Sequence, residues 1–188
     1  KVTANGIPAK GIARQELAQL MVGREVLFQL DRKPQPAGEI VLSVEDVFAE
    51  NDKGLPALRG VTLNVRAGEI VGLAGVAGNG QRELAQVITC LRPSSRGVVR
   101  VKDELISNCT ASTAIRLGMA HIPEDRTHVG TSPNLSITDN VIMKKYKQPP
   151  IARGWMLDFI EATRFANELK KGYDIIVPSV ETPARLLS

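Results

Sequence analysis

The run from residue 68 to residue 84, Gly-Glu-Ile-Val-Gly-Leu-Ala-Gly-Val-Ala-Gly-Asn-Gly-Gln-Arg-Glu-Leu, limits what this chain can fold into more than any other stretch. Residues 70–74 form a continuous apolar run ending just before Gly75, as in a strand buried on both faces. Leu84, Ala85, Val87, Ile88 and Leu91 then recur at helical spacing over 81–91. Strand, glycine-rich turn and helix in that order are the setting of the phosphate-loop pattern G-x-x-x-x-G-K-[ST]. Gly75 and Gly80 fall on its two fixed glycines, but Gln81 stands where the lysine belongs and Arg82 where the hydroxyl belongs.

Glycines at 75, 78 and 80 let the backbone close and turn successive N–H groups inward, where the helix N-terminus adds partial positive charge. Gln81 brings a neutral donor in place of a cation, and the Arg82 guanidinium cannot ligate Mg²⁺. The expectation is weak, Mg²⁺-poor nucleotide binding by Gly75, Val76, Ala77, Gly78, Asn79, Gly80, Gln81 and Arg82. The alternative is a loop that only connects strand to helix and is kept for packing. A dinucleotide site is disfavoured, because the sequence from Gly78 to Glu83 lacks the third glycine of G-x-G-x-x-G.

A hydrophobic content of 43% and a charged content of 23% over 188 residues describe an ordinary globular chain with one substantial core. No apolar stretch approaches the roughly 20 residues of a spanning helix, and no basic-then-apolar leader opens the chain, so a cytoplasmic location is expected. Cys90 and Cys109 lack metal-ligand spacing and read as buried or half-buried thiols, with no metal site expected. The net charge of +4 is scattered apart from the cluster Lys144-Lys145-Tyr146-Lys147. Four phenylalanines, two tyrosines and one tryptophan are too dispersed for a base-stacking platform, so no nucleic-acid partner is expected.

Leu17, Leu20 and Met21 suggest a short helix over 14–21, and Lys33-Pro34-Gln35-Pro36-Ala37-Gly38 an extended linker. From Glu39 the pattern turns to β. Ile40, Leu42, Val44 and Val47, then Leu58, Val61, Leu63 and Val65, alternate as in half-buried antiparallel strands joined through Asn51-Asp52-Lys53-Gly54. Phe48 fits the alternating core pattern. A strand at 98–101, a helix at 111–117 closed by Gly118 and a short strand at 119–122 follow. Ser136 and Asp139 stand at capping-box spacing ahead of another helix. Phe159, Ala162, Phe165, Ala166 and Leu169 make one face of a helix over 159–171 capped by Gly172, and residues 174–177 read as a last short strand.

With those residues in view, the chain resembles the second nucleotide-binding domain of the tandem ATP-binding cassette ATPases of bacterial sugar and nucleoside importers. The segments that carry the resemblance are Leu20-Met21-Val22-Gly23-Arg24, Arg66-Ala67-Gly68-Glu69-Ile70-Val71-Gly72 leading into Gly78-Asn79-Gly80-Gln81, Ile122-Pro123-Glu124-Asp125-Arg126, and Asn134-Leu135-Ser136-Ile137-Thr138-Asp139-Asn140. The resemblance implies an α/β fold, a P-loop NTPase-like core with an antiparallel β subdomain and part of a helical subdomain. Residues 1–24 would be the tail of a preceding cassette, 25–38 a linker, and 39–188 a second cassette incomplete at its C-terminus, Leu187-Ser188 resembling the start of the signature loop.

The resemblance further implies that Glu124 takes the position of the glutamine that touches Mg²⁺ and the attacking water, making it a further nucleotide-site residue. Asp125 and Arg126 would face a membrane permease, together with the helical segment 136–171. Glu124-Asp125-Arg126 as a plain strand cap with a surface ion pair is the competing reading. The aromatic that stacks on adenine in the family is missing, since Ala49-Glu50-Asn51 occupies its region. The implied cofactor is ATP, weakly bound, with Mg²⁺ open. The implied partners are the first cassette of the same polypeptide, the permease subunits and, indirectly, a solute-binding protein, with the parent complex on the inner face of the cell membrane. Catalytic residues are expected to lie outside these 188 residues, so the chain alone should not turn over ATP. Two other functions stay open: a dimerisation and permease-docking module that binds no nucleotide, and a soluble cassette ATPase acting on nucleic acid.

Overall fold

Two eleven-residue strands, β1 (Ile40–Glu50) and β2 (Pro56–Arg66), carry the architecture of this computed structural model, which describes residue 5 and residues 11–22, 36–76 and 78–187. They form an antiparallel hairpin whose turn is closed by Asn51: its side-chain oxygen accepts from Lys53 N–H and Leu55 N–H at 2.9 and 3.1 Å. β3 (Arg96–Val101) pairs with the other edge of β1, and the short β4 (Glu104–Leu105) completes an antiparallel sheet in the order β2-β1-β3-β4.

A bulge interrupts β1. Asp46 has φ +49°, and pairing slips between Val44 and Val47 on the β2 side and between Glu45 and Phe48 on the β3 side. The extra residue changes the parity of the strand, so Val44 and Val47 are both fully buried and Ala49 follows them inward. Phe48 therefore lies on the other face, half-buried, with the Arg96 guanidinium 5.3 Å from its ring centre. The sequence places it in the core; the bulge at Asp46 takes it out.

The buried face of this sheet receives one helix packed against it. α1 (Arg14–Val22) precedes the sheet, with Leu17 and Met21 exposed. α2 (Gln81–Ile88) lays Leu84 and Val87 on Val44, Val47, Ala49, Leu58, Val99, Val101 and Ile106. Each such aliphatic side chain contributes roughly 1.5–3 kcal/mol when taken from water. Cys90 and Cys109 are half-buried against this core, as the sequence suggests. α3 (Ala111–Arg116) ends at Leu117, and Gly118 follows with φ +87°.

A second, smaller core joins α4 (Ile137–Ile142) to α5 (Phe159–Gly172) through Ile142, Ile151 and Ala162, with Phe165 and Leu157 at its margin. The capping box at Ser136 and Asp139 is formed as the spacing requires: Ser136 Oγ accepts from Asp139 N–H, and the Asp139 side chain accepts from Ser136 N–H. A two-strand hairpin, β5 (Ala152–Arg153) and β6 (Met156–Leu157), connects the two helices. α5 runs one residue past its expected end. Gly172 is its last residue, Tyr173 is the C-cap, and Asp174 with φ +51° takes the left-handed position.

Three expected strands are absent as strands. Residues 70–74, 119–122 and 174–177 have no ladder partner among the described residues. Ile70, Leu73, Ile122 and Ile176 are 78%, 56%, 86% and 90% exposed. An apolar run can encode a strand's burial, but the strand exists only where a neighbour offers N–H and C=O groups to pair with.

Candidate phosphate-loop site

The glycine-rich turn enters α2 through two left-handed residues, Gly78 at φ +89° and Gly80 at φ +95°. Gly80 is buried, and its close packing on β2 leaves no room for a side chain: a Cβ there would stand 2.7 Å from Ala57 O and 3.0 Å from Leu58 Cδ2. The turn is thus held against the sheet at its exit. Its entrance, Gly75 and Val76, is exposed. Ala77 lies outside the described residues.

The two substituted positions behave differently. Gln81 folds back into the loop, and its Nε2 donates to Val76 O at 3.2 Å, the same carbonyl that accepts Asn79 N–H at 3.3 Å. The carboxamide also closes on Gly75, where a Cβ would collide with it. The Gln81 side chain thus lies against the loop backbone at Gly75 and Val76. Arg82 turns away. Its Nη2 donates to Asp52 Oδ2 at 2.7 Å, on the β1–β2 turn, and lies 3.4 Å from the buried Glu83. Asp52 also receives Arg92, whose other hydrogen bonds run to Glu50 O and Gln86 Oε1, both at 2.8 Å. Arg92, with Arg82 behind it, holds the Asp52 carboxyl below its ordinary value. The Arg82 guanidinium, paired with Asp52, has no lone pair to give a metal, so the hydroxyl that would hold Mg²⁺ at this position has no substitute in it. Among the described residues no group of three or more His, Cys, Asp or Glu side chains could hold a metal ion.

Glu124 is exposed, and its segment meets α2 at the end remote from the loop: Thr89 Oγ1 lies 3.3 Å from His121 Nδ1. Asp125 is engaged in shaping its own loop. Its carboxylate accepts the N–H groups of Thr127 and His128 at 3.0 and 2.8 Å, and His128 Nδ1 sits 3.1 Å from it. Arg126 is exposed, and its carbonyl accepts from Thr131 Oγ1 at 3.3 Å.

The Asp125 carboxyl is held below its ordinary 3.8, first by the His128 backbone N–H and then by the imidazole. A lowered folded value means that this contribution to loop order is complete above about that pH and is lost as pH falls through the lowered value. In His128→Ala the backbone donor remains. The Asp125 carboxyl carbon followed by NMR should therefore still titrate below 3.8. A midpoint restored to the ordinary value would show that the imidazole alone held it.

The Asp52–Arg82–Arg92 cluster and the Gln81 contact are absent from the sequence reading. The first joins residues about 30 and 40 positions apart; the second depends on a rotamer. Neither leaves a pattern in the chain.

No family profile matches the chain. Among curated proteins, it is 41% identical over 169 residues to the glucose import ATP-binding protein TsgD13 of Haloferax volcanii, covering 90% of this chain and 31% of that protein. It is 36% identical to the guanosine import ATP-binding protein NupO of Bacillus subtilis, covering 93% and 34%. It is 34% identical to the nucleoside import ATP-binding protein NupA of Lactococcus lactis, covering 86% and 32%. The chain thus spans about a third of the length of these relatives. In structure it is similar to the dimeric ATP-binding cassette MJ0796 in a post-hydrolysis state with ADP and Pi, with a TM-score of 0.61 at 21% identity over 78% of this chain and 63% of that one. It is also similar to CbiO1 from Clostridium perfringens, with a TM-score of 0.54 at 19% identity over 79% and 56%. The chain has the fold of the ATP-binding cassettes, and its homologues are the ATP-binding proteins of sugar and nucleoside importers.

Proposed function

We propose that the chain is part of the ATP-binding subunit of an importer for a sugar or nucleoside, and that residues 39–188 are the leading part of the second of its two cassettes. Residues 1–24 then belong to the first cassette and 25–38 to the linker, as the 31–34% share of the relatives' length allows. The parent couples ATP binding and hydrolysis to uptake through permease subunits at the inner face of the membrane, with a solute-binding protein as an indirect partner. Among the described residues no helix is long and apolar enough to cross a membrane, in keeping with a peripheral subunit. Asp125 and Arg126 face the permease in this reading.

The observation that carries the proposal about this cassette is the Gln81 amide bonded to Val76 O beside a glycine-rich turn whose exit into α2 is packed on β2. A nucleotide can reach the loop amides only by displacing it, and it then finds no cation at 81 and no metal ligand at 82. The native loop therefore binds nucleotide weakly and without regard to Mg²⁺, and the 188-residue chain does not turn over ATP. Titration with a fluorescent ATP analogue, with and without Mg²⁺, is expected to give the same weak isotherm twice. Gly80→Asp, which drives a carboxylate against Ala57 O, should abolish it. Strong Mg²⁺ dependence, or multiple turnover lost in Gly80→Asp, overturns this account.

The closed loop also favours a second reading, in which the cassette is a dimerisation and docking module that binds no nucleotide. That reading requires a flat titration for the native chain.

A further inference from the structure

The hairpin between α4 and α5 lies within the segment 136–171 that the cassette reading turns toward the permease, and it carries a side chain to which that reading gives no role. Trp155, the only tryptophan of the chain, sits at its tip beside Gly154 and is fully exposed. The exposed apolar surface continues along the chain through Met156 (75%), Phe159 (67%) and Ile160 (81%). Isolated exposed apolar residues need no explanation, but a contiguous group of large ones around a tryptophan marks a contact surface.

The charge around this group is one-sided. Between residues 141 and 160 the chain has Lys144, Lys145, Lys147 and Arg153 against a single carboxylate, Asp158. That carboxylate is already committed, accepting Ile160 N–H and Glu161 N–H at 3.1 Å and pairing with Arg153 at 2.9 Å. The three lysines are exposed, and Lys147 lies at the hairpin. Tyr146 and Lys147 line the same hollow as Trp155 and Met156, a space of about 460 Å³. Lys147 lies over the Tyr146 ring at 5.3 Å, and Lys145 over Phe165 at 4.5 Å.

The platform beneath is firm. Ile151 and Ala152 are buried, Ala152 N–H donates to Gln148 O at 2.9 Å, and Asp158 N–H donates to Ile151 O at 2.8 Å. The hairpin thus presents its tryptophan from a packed base.

We infer that this surface docks on an anionic lipid headgroup layer, with Trp155 and Met156 entering the interface and Lys145 and Lys147 resting on the headgroups. Tryptophan suits that position because its ring is apolar and its indole N–H can be hydrogen-bonded at the wet boundary. Lysines keep their stems along the apolar surface and extend their charge to the phosphates. A nucleic acid would use the lysines but not the aliphatic side chains of Met156 and Ile160. The inference is independent of nucleotide binding.

Because the chain has one tryptophan, its emission reports this site alone. Vesicles of equal parts phosphatidylglycerol and phosphatidylcholine are expected to shift the emission to the blue, and lipids brominated on the acyl chains to quench it. Pure phosphatidylcholine should do neither, and added salt should reverse the shift. Lys145→Ser and Lys147→Ser should each weaken partitioning about fivefold, the effect of one cation near such a surface. Trp155→Ser should abolish co-sedimentation while its helical circular dichroism stays native. Unchanged emission with both vesicles overturns the inference, as does an equal shift with the zwitterionic ones. A shift given by single-stranded RNA and not by vesicles, or by raising protein concentration alone, overturns it in favour of those partners. Co-sedimentation without a Trp155 shift places the contact elsewhere, for instance on the exposed residues 70–76, and also overturns it.

Discussion

Gly97→Ala is expected to cost about 3–5 kcal/mol, a large part of the stability of an ordinary domain. Gly97 lies in β3 with φ +94°, directly against the bulge of β1. A Cβ there would fall on the Asp46 carbonyl and within 2.6 Å of Val47 Cα. Both are backbone atoms of the central strand, so no rotamer change relieves the collision. The sheet must part or the bulge must move, and Val44, Val47 and Val99 lose their packing together. The control is Gly118→Ala, with nearly the same φ of +87° but open space around the new methyl group. It should show only the left-handed penalty, roughly 1–2 kcal/mol. Urea midpoints at constant slope measure both. If the two variants lose similar stability, the close approach of Gly97 to Asp46 is not what demands glycine.

Rebuilding the phosphate loop is the second large effect. Gln81→Lys/Arg82→Ser should bind the ATP analogue roughly a hundredfold more tightly than the native chain, and only with Mg²⁺ present. The magnitude follows from adding a charge-assisted hydrogen bond at the phosphates, worth about 1.5–3 kcal/mol, and from removing the Gln81–Val76 contact that competes for the same space. The Mg²⁺ dependence follows from restoring a hydroxyl where a guanidinium now pairs with Asp52. The pair with Asp52 is exposed on both sides and contributes little, but the same change takes away the guanidinium 3.4 Å from the buried Glu83, so the variant is expected to lose stability and its urea midpoint is measured beside its affinity. Tight but Mg²⁺-independent binding would mean that residue 82 does not point where a metal ligand is needed. No binding by either chain would favour the docking module.

Much of this fold could be read along the chain because the signals are local. The turn at Asn51, the capping box at Ser136 and Asp139, and the apolar face of α5 each depend on residues a few positions apart. The loop glycines too were legible, since only glycine takes the conformations of Gly78 and Gly80 easily. What escaped depends on partners. Residues 70–74 are as apolar as a buried strand should be, yet nothing among the described residues pairs with them. Phe48 changed faces because of one extra residue at Asp46, and the glycines that accommodate that bulge, Gly60 and Gly97, lie on the neighbouring strands. The β5–β6 hairpin, with two residues in each strand, is too short to show alternation, and it interrupts the segment 136–171 that the sequence reads as helical.

At the candidate site the positions of the missing lysine and hydroxyl were plain, but not the destinations of their replacements. Arg82 reaches a turn thirty residues earlier, and Gln81 returns to the loop that precedes it.

The position of Gln81 makes it a tethered competitor. A free inhibitor can be diluted away, whereas a side chain anchored at the first turn of α2 keeps a fixed effective concentration at Val76 O. On the reading proposed above, in which the amide must leave before any anion reaches the loop, inorganic phosphate, diphosphate and nucleotide are expected to gain by one common factor in Gln81→Ala, and titration of each ligand in both chains measures it.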